Sequence, residues 1–247
     1  MKKFAKTLLA GALSSVAATA TAEDISANVG LASDYMFRGV SQTDNQMALQ
    51  GGFDWAHASG FYVGAWASNV DSTLFGGDQD PQLETNLYGG YAGEVGAFSY
   101  DLGVLGYFYP GADGPGNDDF QTVEFYIGGG YALTDALSLN AKLFYADELN
   151  FSGVSENGLY LTVGADYALS ERFALSAAVG MSSGDAFETL GGPGGPDSYM
   201  DYSVGVTTSF AGADFSLTYV DSNDDAEDLF GDSITDGRAV LTMSKSF

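Results

Sequence analysis

Apolar and polar side chains alternate along most of this chain. The clearest alternating runs are Ile25 to Leu31, Phe98 to Val104, Leu137 to Tyr145 and Leu159 to Leu169. A period of two residues is typical of a β-strand whose two faces meet different surroundings. Weaker runs of the same kind fill most of the remaining sequence. Together they predict about twelve strands, within a range of roughly ten to fourteen.

The predicted connections alternate between short and long. The short ones are the hairpin-sized segments 58–59, 93–96, 134–136, 170–172 and 211–212. The long ones, rich in Gly, Pro, Asp and Asn, are 39–46, 71–81, 110–119, 147–157, 183–197 and 222–236. Outer-membrane barrels have an even number of strands, short periplasmic turns and long outer loops. We therefore expect residues 23–247 to form a single all-β domain, a transmembrane antiparallel up-and-down β-barrel.

A soluble β-sandwich or a lipocalin-like barrel shows the same alternation. Two features favour the membrane barrel. Aromatic residues cluster at predicted strand ends, where interfacial girdles lie; they are Tyr35, Phe37, Trp55, Tyr107, Tyr109, Tyr131, Tyr145, Tyr167 and Phe173. The second face consists of small and polar residues, which are too small for a soluble exterior and too polar for a dry core.

The first 22 residues have the pattern of an export signal. Lys2 and Lys3 give a basic start within Met1 to Lys3, Leu8 to Ala18 are apolar, and Ala20 to Ala22 form an A-x-A site. We expect cleavage before Glu23 and export to the outer membrane. After this segment, no apolar run reaches the roughly 18 residues that a spanning helix needs.

Charge changes the picture, because the chain is strongly acidic. It has 33 acidic residues, 8 basic residues, one histidine and no cysteine, with a formal net charge of −25. Such a charge argues against a nucleic-acid partner, which needs clustered Lys and Arg. The 15 Tyr and 17 Phe argue against a disordered acidic chain.

Charged residues on the polar face are the candidates for a pore lining or constriction. They are Asp34, Arg38, Asp54, Glu84, Asp101, Glu124, Lys142, Asp166 and Arg238. The six acids outnumber the three bases, so we predict a passive channel for small solutes or ions that prefers cations. The first and last strands of a closed barrel are neighbours, so Asp34, Arg38 and Arg238 are expected to meet near the outer mouth. Structural salt bridges that fill a narrow barrel remain the alternative.

A second set of inward positions carries aromatic side chains. By alternation it comprises Tyr62, Trp66, Tyr88, Tyr107, Tyr109 and Tyr126. These rings would either narrow the lumen or line a path for an amphipathic or sugar-like solute. Alternation that slips at a β-bulge is an equally good explanation.

The last predicted loop is a possible divalent-cation site. Its acids are Asp221, Asp224, Asp225, Glu227, Asp228 and Asp232, which could bind cations that bridge to lipopolysaccharide. The segment begins like an EF-hand, but Ala226 replaces the required glycine and Asp232 the final glutamate. A solvated acidic surface is the favoured interpretation, and we predict no cofactor.

Catalysis is not expected. The single histidine, His57, lies at a predicted turn with Ser59 nearby, and the sequence has neither a P-loop nor an H-E-x-x-H motif. A non-conducting structural or adhesive barrel, which would act through its acidic loops, is the main alternative to a channel. An outer-membrane enzyme comes third.

Two parts of the chain, its last residues and the region from residue 33 to residue 111, also resemble known signatures. The segment Leu241 to Phe247 resembles the terminal signal read by the barrel-insertion machinery, although Lys245 departs from it. Segments 33–43, 50–54, 59–64, 66–70, 100–103 and 109–111 resemble the proteobacterial TorF-type porin family, whose members have no known function. Met47 stands where that family would have proline. The resemblance implies an outer-membrane pore in contact with lipid and lipopolysaccharide, with no catalytic residues to carry over.

Overall fold

The computed structural model describes residues 24–71, 81–111, 121–151 and 154–247. Within these ranges, twelve strands close into one antiparallel barrel. The expected export signal, residues 1–22, lies outside the described residues. So do most of the predicted loops 71–81 and 110–119.

The barrel strands are β1 (Asp24–Ala32), β4 (Ala48–Ala56), β5 (Phe61–Asn69), β6 (Leu83–Val95), β7 (Phe98–Phe108), β8 (Gln121–Ala132), β9 (Leu137–Phe151), β10 (Val154–Ala168), β11 (Phe173–Ser183), β12 (Ser198–Phe210), β13 (Ala213–Ser222) and β14 (Arg238–Ser246). Strands β2 (Met36–Phe37) and β3 (Val40–Ser41) form a small separate hairpin. The helices are α1 (Asp185–Gly191), α2 (Asp224–Phe230) and α3 (Asp232–Thr235). None of the helices in the described ranges combines the length and apolarity needed to cross a membrane.

Each barrel strand pairs with its neighbours in the chain, and β1 closes the circle against β14. Leu31 faces Met243 across this seam and Leu49 on its other side. The predicted twelve-stranded up-and-down topology is therefore confirmed. The short turns leave the barrel at one end, which we call the turn end, and the long connections leave at the opposite, long-loop end.

The two faces of the barrel differ as the alternation predicts. Large apolar side chains are exposed on the exterior, for example Phe53 at 53% and Ile127 at 63%. Their inward neighbours Asp54 and Tyr126 are buried, at 7% and 8%. An apolar exterior of this extent is unfavourable in water, at about 25 cal/mol per Å². Hydrocarbon removes this cost, so the surface is that of a membrane barrel.

The predicted aromatic girdle is only partly observed. Tyr131, Tyr167 and Phe173 are exposed near the strand ends, whereas the exposed Tyr145 lies in the middle of β9. Tyr35 and Phe37 were assigned to the girdle wrongly, because β1 ends at Ala32 and the chain then turns into the barrel. Tyr107 and Tyr109 were also assigned to it wrongly, because their hydroxyls donate to Glu124 and Glu84 inside the barrel.

One predicted loop is wrong. In place of a long loop over 147–157, β9 continues to Phe151 and β10 begins at Val154, with an irregular register between Glu156 and Gly158. Polar residues can extend this hairpin because its end lies beyond the apolar band of the barrel exterior. Asn150 secures it, since its backbone N–H donates to Thr122 Oγ1 over 2.9 Å.

Candidate functional site

The first long connection, residues 33–47, folds into the barrel, and we call it loop 1. Its hairpin β2–β3 turns at Arg38 and Gly39, whose φ angles are +50° and +80°. Two positive φ angles are the geometry of a tight type I′ hairpin turn. An arginine at such a position is strained. The contacts of Arg38 must therefore compensate for its backbone conformation.

Asp34 clamps the base of loop 1. It is 5% exposed, and its Oδ1 accepts hydrogen bonds from Ser41 Oγ over 2.7 Å and Thr43 Oγ1 over 2.8 Å. Its Oδ2 accepts from Arg238 Nη1 over 3.1 Å. The loop is thus fixed to itself and to strand β14 by one carboxylate.

Tyr35 extends from this base to the opposite wall. Its hydroxyl donates to Glu84 Oε1 over 3.0 Å, and its ring packs edge-on against Trp66 with centroids 5.3 Å apart. Glu84 is 2% exposed and also accepts from Asn86 over 2.9 Å and from the Tyr109 hydroxyl over 3.0 Å. These partners of the buried carboxylate are all neutral.

Arg38 crosses the lumen at the tip of loop 1. Its Nη2 donates to Glu124 Oε2 over 2.7 Å, and the Tyr107 hydroxyl donates to the same oxygen over 2.9 Å. The guanidinium carbon lies 4.3 Å from the ring centre of Tyr160 and 5.2 Å from that of Phe144. Arg38 is therefore held by charge pairing and cation–π contact together.

A second polar layer lies closer to the turn end. Asp101 accepts from the Tyr62 hydroxyl over 2.6 Å and from Lys142 Nζ over 2.8 Å. The Lys142 ammonium also lies 3.9 Å from the ring centre of Tyr126, whose hydroxyl is hydrogen-bonded to that of Tyr62.

Two further carboxylates face the interior in this half of the barrel. Asp54 accepts from the Tyr88 hydroxyl over 2.5 Å, and Asp166 accepts from the Asn140 amide over 3.0 Å. Both donors are neutral, so neither contact cancels the charge of its carboxylate.

The opposite wall is built from small residues. Inward positions of β1 and β11–β14 include Gly30, Ser176, Ala178, Gly205, Ser216 and Thr242. The bulky tyrosines occupy the wall formed by β5–β8. The inward side chains on this wall are therefore smaller than those of β5–β8.

Comparison with known proteins gives the chain a family. A family model described as a bacterial protein of unknown function, Gcw_chp, matches residues 16–247. The chain belongs to the Gcw_chp family. The TorF-type name is not confirmed, and none of the curated proteins matches the sequence.

The fold of this Gcw_chp protein is similar to that of solved porins. The NanC porin has a TM-score of 0.55 at 9% identity, over 90% of this chain and 98% of that one. The KdgM porin, solved in complex with disordered oligogalacturonate, has a TM-score of 0.57 at 11% identity, over 90% and 98% of the two chains. At such low identity, the likeness concerns the fold.

The structure places the nine predicted lining residues of this Gcw_chp protein on the interior side. Arg238 meets Asp34 as predicted, but Arg38 does not join them in an ion pair and reaches Glu124 instead. That part of the prediction is wrong because Arg38 lies at a hairpin tip, not at the end of a strand. Whether the nine residues select ions stays a prediction.

The inward aromatic residues also lie where alternation places them. Tyr62, Tyr107 and Tyr126 are 6%, 5% and 8% exposed, and the pairing of β5 to β8 is regular, so a slipped register is excluded there. The Tyr107 ring packs against Phe37 and the Tyr126 ring against Phe144. The hydroxyls of Tyr62 and Tyr107 donate to Asp101 and Glu124, and the Tyr126 hydroxyl is hydrogen-bonded to that of Tyr62. These tyrosines therefore occupy the interior as alternation predicts, and whether they also line a path for solutes stays a prediction.

Asp201 and Tyr160 also face the interior, although they are not among the predicted lining residues. Asp201 is 9% exposed and accepts from the Tyr160 hydroxyl over 3.3 Å. Alternation in β12 could have identified Asp201 as interior. Tyr202 and Val204 point outward, so Asp201, one position before Tyr202, points inward.

The acidic last loop forms α2 and α3, and the suggested divalent-cation site in it stays a prediction. Among the described residues, no three His, Cys, Asp or Glu side chains converge as they would around a metal ion. Partial desolvation and then repulsion from Asp232 and Asp224 raise the pKa of Glu227, as expected for an acidic surface.

His57 lies at the turn end. Its Nδ1 is 2.6 Å from Ser59 Oγ and accepts from the Ser59 backbone N–H over 3.1 Å. This pair closes the tight turn between β4 and β5 on an exposed edge.

Proposed function

We propose that this protein is an outer-membrane channel for passive diffusion of small cations and small polar solutes, with loop 1 as its constriction. The observation that carries the proposal is an excess of interior carboxylates. The interior acids are Asp34, Asp54, Glu84, Asp101, Glu124, Asp166 and Asp201, and the interior bases are Arg38, Lys142 and Arg238.

Ion pairing uses three of these acids. Arg238, Arg38 and Lys142 bind Asp34, Glu124 and Asp101 respectively. The other four have neutral hydrogen-bond donors. Negative charge inside low-dielectric walls attracts cations and repels anions.

The likeness to solved porins supports a channel. The excess of interior carboxylates supports a preference of this channel for cations. Oligogalacturonate, found with the KdgM porin, is a polyanion. An interior with excess carboxylate disfavours such a solute, so we propose that small cations are preferred here.

The topology supports an orientation. We propose that the turn end faces the periplasm and the long-loop end faces outward, with the acidic α2–α3 segment near lipopolysaccharide. The terminal Phe247 has an exposed ring, and its backbone N–H donates to Ala27 O over 2.8 Å. We propose that the insertion machinery reads this end of β14.

Planar-bilayer recording with purified, folded protein tests the function. Under a KCl gradient, we expect ion-sized current steps and a reversal potential shifted toward that of K⁺. The double variant Asp54→Asn and Glu84→Gln removes two charges that have neutral partners, so its reversal potential should move toward zero. Asp135→Asn, at an exposed turn, is the matched control and should leave it unchanged. A silent bilayer with correctly folded protein would contradict the proposal and favour the non-conducting barrel.

A further inference from the structure

The surroundings of the Arg38 guanidinium are built largely by the barrel wall. Glu124 lies on β8, Phe144 on β9, Tyr160 on β10 and Asp201 on β12. We call these four residues the wall cage. Their positions belong to the strands, so the cage does not depend on loop 1 for its construction.

Asp201 gives the wall cage an unused acceptor. Its Oδ1 accepts from the Tyr160 hydroxyl, whereas its Oδ2 is buried with no hydrogen-bond partner. A buried carboxylate oxygen without a donor costs free energy, and a cationic donor relieves this cost. A Cβ on Gly180 would collide with Oδ2, so the glycine makes room for the carboxylate at this point.

The tip of loop 1 lies against the Asp201 side chain. A Cβ built on Gly39 would be 2.8 Å from Asp201 Cβ, and the neighbouring Arg38 lies over the Tyr160 ring that binds Asp201. One carboxylate thus binds the guanidinium, a second lies beside it, and two aromatic rings flank it. Planar guanidinium groups are suited to such surroundings, since they pair with carboxylates and stack on rings.

We propose that the wall cage is a binding site for the guanidinium group of a small organic cation, and that Arg38 is its tethered occupant. A free guanidinium solute competes with Arg38 for Glu124 and the aromatic faces and satisfies Asp201 Oδ2. A short tether gives Arg38 an effective concentration on the order of mM. Occupation by a solute therefore displaces Arg38 and frees hairpin β2–β3 from the wall. The site exists whether or not the barrel conducts.

Arg38→Ala in the full-length folded barrel tests the site by emptying it. The probe is methylguanidinium, and binding is measured by calorimetry and by the thermal transition, with NaCl at the same ionic strength as the control. We expect saturable binding and a raised Tm for Arg38→Ala. Because the wild type must first release Arg38, its apparent affinity should be at least about tenfold weaker.

Two further substitutions identify the binding residues. Asp201→Asn and Glu124→Gln, each combined with Arg38→Ala, should weaken methylguanidinium binding at least about tenfold. Glu94→Gln, which changes a carboxylate on β6 outside the cage, should not. Unchanged binding in both cage variants, or no saturable binding to folded Arg38→Ala, overturns the proposal.

Two measurements protect the test against misfolding. Arg38→Gly suits the positive φ of this position and serves in place of Arg38→Ala if the alanine variant does not fold. In the wild type, hydrogen exchange of residues 36–41 should rise with methylguanidinium and not with NaCl. Equal exchange in the two salts overturns the proposal without any variant.

Discussion

Arg238 Nη1 lies 3.1 Å from Asp34 Oδ2, although 204 positions separate the two residues along the chain. This contact joins the first loop to the last strand of the barrel. Asp34 Oδ1 meanwhile accepts from Ser41 and Thr43 within the loop. One side chain therefore fixes both the shape of loop 1 and its position against the wall.

Asp34→Ala should loosen loop 1 more than Arg238→Met does. The first change removes three hydrogen-bond acceptor contacts, whereas the second leaves the two hydroxyl contacts in place. We expect losses of about 3 kcal/mol and about 1 kcal/mol in the local opening free energy, measured by hydrogen exchange of residues 36–45. Lys245→Met on β14 is the control. Equal effects of the two variants would contradict a clamp centred on Asp34.

Lys142→Met should make the channel more selective for cations. Asp101 would keep its bond from the Tyr62 hydroxyl, so the interior gains one uncompensated negative charge. The reversal potential in a KCl gradient should move further toward that of K⁺. Asp101→Asn should have the opposite effect, and a shift in the same direction for both variants would show that the pair acts only on the fold.

Gly103→Ala should destabilise the barrel, whereas Gly30→Ala should be nearly neutral. A Cβ at Gly103 would lie 2.5 Å from Gly89 O and 2.5 Å from the Tyr126 hydroxyl oxygen, but its nearest neighbour at Gly30 would be 3.4 Å away. Overpacking of this kind costs about 1–3 kcal/mol. Urea unfolding of the two variants in the same detergent measures the difference in stability. Equal midpoints would contradict the close packing of Gly103 against Tyr126.

A disulfide between the tip of loop 1 and the wall should hold the constriction in place. The chain has no cysteine, and a Cβ built on Gly39 would be 3.1 Å from Ser222 Cβ, close to the roughly 3.5–4.5 Å found in disulfides. Oxidised Gly39→Cys with Ser222→Cys should conduct less than the reduced form in planar bilayers. Each single variant is a control and should not respond to reductant. Equal conductance before and after reduction would show that the tip of loop 1 does not leave the wall while the channel conducts.

The barrel could be predicted from the sequence because its signal is local. Residues such as Ile127 and Gly128 point to opposite faces of a strand, and this alternation is independent of distant contacts. It also placed Glu84, Asp101 and Tyr126 on the interior. Hydrocarbon outside and polar groups inside impose the same pattern on every strand.

Loop 1 could not be predicted because its conformation depends on distant partners. Tyr35 and Phe37 continue the apolar phase of β1, so local alternation extends the strand through them. They leave the strand because Asp34 binds Ser41 and Thr43 and because Tyr35 finds Glu84 across the lumen. The contact of Arg38 with Glu124 could not be predicted for the same reason, because it joins side chains 86 positions apart.

The β1–β14 seam has a consequence for how the protein assembles. Strand β1 meets β14 through five residue pairs but meets β4 through nine. Asp34 cannot reach Arg238 until the two ends of the sheet come together, and bringing such distant segments together costs chain entropy. Loop 1 lies near the start of the chain, but it can therefore bind β14 only in the final stage of barrel closure. An inserted but unclosed sheet would leave Asp34 without Arg238, so the fixing of loop 1 to the wall accompanies closure of the barrel.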